Sequence, residues 1–156
     1  MADTGILTTL ATIGMSLAGF AGLISALIRK TEWRPLDLLL IRTQVSYGFA
    51  GVLFALIPIP LTGLFGADIA LRAAGITLLL ASAGWGFIGA RDSRRLGIAW
   101  RRRLPFTALA PVQIGTAVWA AVVPSLEVYE LAVICVLAYA MPVFFFALTE
   151  LGRARD

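Results

Sequence analysis

The chain has 156 residues, 60% hydrophobic and 14% charged, against about 25% charged in an average soluble domain. Its net charge is +4 and its pI about 10.0, yet the charges sit in short blocks between long apolar runs, so they do not by themselves point to acidic partners. There is no histidine and one cysteine, Cys135, which excludes imidazole ligation, histidine acid–base chemistry and an intrachain disulfide; the mean hydropathy of +0.90 points to a membrane protein.

A bilayer core of about 30 Å needs about 20 apolar residues in a helix. Five stretches meet or approach that need and predict an all-α polytopic bundle in one domain. The first, Gly5 to Ile28, holds no formal charge over 24 residues. It is not read as a cleavable leader, because "MADT" before it lacks Lys and Arg while "RKTEWR" follows it. The second runs from Leu36 to Ile57, opened by Pro35, a favoured first helical residue, and closed by "PIP". The third is Ile69 to Ala90. Between them, "PIPLTGLFGAD" reads as an apolar turn punctuated by Pro58, Pro60, Gly63 and Gly66. Its "TGLFG" lacks the glycine order and the preceding pore helix of a potassium filter. The fourth stretch, Phe106 to Val123, is the weakest, since it holds Pro111, Gln113 and Thr116. The fifth is Leu131 to Leu148, with a bend expected at Pro142.

Basic residues fall between the stretches in an alternating pattern. Arg29, Lys30 and Arg34 follow the first, and Arg91, Arg94, Arg95, Arg101, Arg102 and Arg103 follow the third. Arg153 and Arg155 follow the fifth, while the second and fourth connections have none. Eleven of the 13 basic residues thus lie on one side if all five stretches cross. A four-crossing alternative with the fourth stretch re-entrant would put Arg153 and Arg155 on the other side, and the charge count disfavours it by those two residues. The positive-inside rule then puts the N-terminus outside and the C-terminus in the cytoplasm. Leu96, Ile98 and Trp100 interrupt the arginine block, so that loop is expected to lie on the inner leaflet, with Arg94, Arg95, Arg101, Arg102 and Arg103 touching anionic lipid head groups. Nucleic acid is not expected as a partner, since no aromatic platform or reading helix accompanies the charge.

Few polar groups fall inside the stretches. Arg42 lies seven residues past Pro35, about 10 Å along a helix. It is read either as a snorkelling side chain with Asp37 or Glu150 as partner, or as an anion-binding member of a network with Gln44 and Ser46. Asp68 and Arg72 are spaced as an i,i+4 ion pair. Gln44, Ser46, Ser82, Gln113 and Thr116 read chiefly as interhelical hydrogen-bonding groups. Arg42, Gln44, Ser46, Gln113 and Thr116 are also the candidates for a polar pathway. No Asp or Glu lies in the central part of any stretch, unlike the proton-driven transporters that need a titratable carboxylate there.

Small residues suggest tight helix packing. Gly14, Ala18, Gly22 and Ala26 recur every four residues on one face of the first stretch, allowing close backbone approach. Phe144, Phe145 and Phe146 run round the fifth. Trp33, Trp100 and Tyr129 are placed as interfacial aromatics, with Trp85 and Trp119 nearer the ends of their stretches. Nucleotide-binding glycine signatures, metal spacings and nucleophile elbows are missing from the sequence. No cofactor, metal or catalytic residue is therefore expected. The leading expectation is a small non-catalytic membrane protein acting by helix–helix association, as an accessory subunit of a larger membrane complex or as a homo-oligomer. The alternative is an oligomeric ion or small-solute channel lined by polar residues of the second and fourth stretches; a membrane enzyme ranks third. Twelve arginines to one lysine point to a GC-rich bacterial host and thus to a bacterial cytoplasmic membrane.

Overall fold

A computed structural model describes residues 5–27, 35–95, 97 and 100–153. Among them the chain is all-helical: α1 Gly5–Leu27, α2 Pro35–Leu56, α3 Pro58–Phe65, α4 Ala67–Arg95, α5 Trp100–Val122 and α6 Leu126–Arg153. Four stretches are long and apolar enough to cross a membrane: Gly5–Ile24, Asp37–Phe65, Ala67–Asp92 and Leu126–Phe145. In α5 the apolar part is the shorter Leu109–Val122, in line with its standing as the weakest of the five stretches. Many large apolar side chains face outward, among them Phe20, Leu53, Leu64, Leu80 and Phe87. Lipid tails solvate such a surface as well as another leucine would.

The connection after α2 differs from the expected turn. Residues 58–65 continue as helix, and α2 and α3 are separated only at Ile57, which keeps right-handed helical dihedrals (φ −53, ψ −43) and donates its N–H to Leu53 O at 2.8 Å. Pro58 and Pro60 occupy the first turn of α3, where a missing N–H costs least. The turn proper is compressed into Gly66. Its φ of +82 is open to glycine at little cost, and its carbonyl accepts the Ala70 N–H at 3.1 Å as α4 begins. A second left-handed glycine, Gly97 at φ +63, stops α4 with an N–H bond to Arg94 O at 3.1 Å. The arginine block is therefore mostly helical: its first half is the end of α4 and its second half the start of α5.

α6 lies at the centre and touches α1, α2, α4 and α5. Its buried residues Tyr129, Ala132, Val133, Val136, Leu137, Ala140 and Val143 recur every three or four positions, a helix turned to the core along its length. α2 sits between α1 and α6, while α5 packs on α4 and α6. α1 and α2, α2 and α6, and α4 and α5 run antiparallel, whereas α1 runs parallel to α6. Gly75 meets Ala120 and Ala121 where Ser82 meets Gln113 further along the α4–α5 pair. Pro142 lies within α6 without ending it.

Candidate functional site

Three places gather the chain's less ordinary residues. The first is the α1–α2 seam. A Cβ on Gly48 would lie 2.8 Å from the Ala18 amide nitrogen and 2.9 Å from the Gly14 carbonyl oxygen. A Cβ on Gly14 would lie 2.7 Å from the Gly48 carbonyl oxygen. Backbone therefore rests on backbone, which only hydrogen side chains permit. Of the four small residues expected on one face, Gly14 and Ala18 are buried in this seam. Gly22 and Ala26 are exposed, and a side chain on Gly22 would meet nothing within 4 Å.

The second is a polar and aromatic centre. Tyr47 on α2 stacks on Tyr139 of α6 with ring centroids 4.7 Å apart, and meets Trp85 of α4 at 5.2 Å. Trp85 also stands edge-on to Phe54 at 6.2 Å. One turn from Trp85 on the same face of α4, Ser82 accepts a hydrogen bond from the Gln113 side-chain amide at 3.0 Å, both groups buried. One turn from Tyr47, Gln44 is 2% exposed, and neither of its side-chain amide atoms has a hydrogen-bond partner.

Above this centre, the Tyr129 hydroxyl donates to the Phe54 carbonyl at 2.7 Å. The reason lies in Pro58. The Phe54 carbonyl would ordinarily accept the N–H four residues on, and proline has none. α6 supplies the missing donor. Tyr129 is thus fully buried, which corrects its expected place as an interfacial aromatic. Trp85 is likewise half-buried in the centre rather than interfacial, whereas Trp119 is exposed. Pro58 was a readable signal, since any proline within an apolar helix frees a carbonyl that needs a donor from elsewhere.

The third place is the basic end, where α4 finishes with exposed Arg91, Arg94 and Arg95. The backbone of Arg101, Arg102 and Arg103 forms the first turns of α5, and their side chains lie outside the described residues. Arg29, Lys30, Trp33, Arg34 and Arg155 also lie outside them.

The five pathway candidates are not brought together. Arg42 is exposed, Ser46 is half-buried and Gln44 faces the core. Gln113 is occupied by Ser82, and Thr116 bonds its own helix at Val112 O and Gln113 O, both 3.0 Å. The expected Arg42–Asp37 pair does not form. Five residues apart on a helix, the two project about 140° apart, and Asp37 is buried while Arg42 is exposed; the side chain of Glu150 lies outside the described residues. The expected Asp68–Arg72 pair is absent as well. Both side chains are exposed with no ion pair among the described residues, as suits an exposed pair worth little where solvent screens it. Phe144 packs on Phe20 at 6.4 Å and Phe145 faces outward, while the side chain of Phe146 lies outside the described residues. No cluster of three or more metal-ligating His, Cys, Asp or Glu occurs among the described residues. No family model, curated protein or solved structure matches the chain.

Proposed function

We propose that this chain is a non-catalytic integral membrane protein that acts by helix–helix association, as an accessory subunit of a larger membrane complex or as a homo-oligomer. The observation behind it is the division of one helix face. Gly14 and Ala18 are used within the chain against Gly48, whereas Gly22 and Ala26 continue the same face uncovered. A second helix reaching α1 there would find the same allowance for close approach that α2 already uses.

The accompanying topology is five crossings in a bacterial cytoplasmic membrane, N-terminus outside and C-terminus inside. Its support is the alternation of basic connections, together with exposed Arg91, Arg94 and Arg95 at one end of α4. In this reading those arginines and the start of α5 rest on anionic head groups. A reporter fused after Gly97 should stay cytoplasmic; its export would reverse the orientation.

Association has its own test. In mild detergent the native protein should run in an assembly larger than one chain, and Gly22→Leu should release the monomer while the unfolding midpoint stays where it was. A monodisperse wild-type monomer after gentle extraction would remove the proposal.

A further inference from the structure

The geometry points to a lipid-phosphate site on the outward face of α2, where the Arg42 guanidinium binds the phosphate of an anionic phospholipid in the leaflet at the N-terminal end of that helix. This rests on α2 crossing the bilayer, as proposed above.

Arg42 and Asp37 are the charged residues of the apolar stretch Asp37–Phe65. Asp37 is 4% exposed and Arg42 is exposed, so the carboxylate turns inward and the guanidinium outward. The other described carboxylates do not serve it. Asp68, Glu127 and Glu130 lie in the first turns of α4 and α6, at the opposite end of the bundle from the start of α2. Asp92 lies near the end of α4, on the same side as the start of α2, and no ion pair joins Arg42 to it or to any other described residue. An unpaired arginine at the bilayer centre is costly. Arg42, however, lies about 10 Å from the start of α2, and helical side chains lean toward the helix N-terminus. The stem therefore runs toward the nearer interface, where phosphates lie. Guanidinium presents a planar fork of donors that matches phosphate oxygens two at a time.

The surroundings of Arg42 favour lipid over a partner helix as the source of the anion. The outward stripe of α2 that holds it also presents Leu38, Phe49, Leu53 and Leu56, all exposed. Where this chain packs helix on helix closely, at Gly14, Ala18 and Gly48, the contact is built of small residues. A stripe of leucine and phenylalanine keeps another backbone away and suits acyl chains. With a cation near its end, it fits a molecule that has a long apolar tail and an anionic head.

The test is native mass spectrometry of the full chain with added dioleoylphosphatidylglycerol. Wild type should retain one lipid that Arg42→Gln loses, with binding about tenfold weaker, the loss expected for one charge-assisted contact. Arg42→Lys should keep part of it, and a double Arg94→Gln, Arg95→Gln variant should keep all of it. Circular dichroism should show every variant equally helical. Equal retention by wild type and Arg42→Gln would overturn the proposal. So would displacement of the lipid by excess inorganic phosphate, which assigns the site to a free anion. A smaller assembly without lipid loss would also overturn it, assigning Arg42 to a partner protein. Carbonate extraction of membranes separates the two readings: release of the wild-type chain would sink the bilayer topology itself, whereas retention confines any failure to the Arg42 site.

Discussion

Gly48→Leu is expected to destabilise the bundle by about 3 kcal/mol or more, at or beyond the usual upper range for overpacking. The neighbours it would strike are backbone atoms of α1, the Ala18 amide nitrogen at 2.8 Å and the Gly14 carbonyl oxygen at 2.9 Å from a Cβ at that position. No side-chain rotation relieves such a contact, so α1 must move off α2. Gly51 offers the contrast on the same helix. The three atoms nearest its hypothetical Cβ all belong to the Leu137 side chain, with Cγ at 3.0 Å; a side chain can shift where a backbone cannot, so Gly51→Ala is the milder change. Denaturation in mixed micelles, followed by circular dichroism, measures both. An unchanged midpoint for Gly48→Leu would mean that the α1–α2 seam is not held as closely as described. Paired with Gly22→Leu, which adds the same side chain where nothing lies within 4 Å, the experiment separates packing inside the chain from packing between chains.

Tyr129→Phe is expected to cost about 1–3 kcal/mol, the penalty of leaving a buried acceptor without a donor. A simple loss of one membrane hydrogen bond averages only about 0.6 kcal/mol. The larger figure follows from Pro58, which removes the donor that the Phe54 carbonyl would have had from its own helix. A second variant exposes that cause. Pro58→Ala restores an N–H at the right place, so Tyr129→Phe should cost less than half as much in that background. The same micelle denaturation, run as a double-mutant cycle, gives the coupling. Equal cost in both backgrounds would show that the hydroxyl stabilises the protein by another route than the carbonyl freed by proline.

Much of the helical plan is legible in the residues because hydropathy and helix length answer to the same quantity, bilayer thickness. The number and order of the long helices follow from that, but not their ends: α5 begins at Trp100 rather than Phe106 and α6 at Leu126 rather than Leu131, and the core face of α6 emerges only in the packed bundle. Two errors have a common origin. "PIPLTGLFGAD" reads as a turn because prolines and glycines punctuate it, yet prolines in a first helical turn break nothing, and only Gly66 takes the left-handed dihedral that reverses the chain. Tyr129 reads as interfacial because it lies near the end of a stretch, but an orphaned carbonyl on another helix draws it into the core.

The sequence alone determined that the chain is helical and apolar, where its charges cluster, and that α1 has a face of small residues. These are local properties, set by composition and by the 3.6-residue period. Only the tertiary structure decided that Gly14 and Ala18 are covered while Gly22 and Ala26 are open, and that Gln113 answers Ser82. Their five-residue spacing already turned Arg42 and Asp37 apart, and the tertiary structure decided which of them is buried. Those outcomes depend on which helices become neighbours and at what height they meet, and a one-dimensional pattern does not encode the azimuth and offset of a partner that lies tens of residues away.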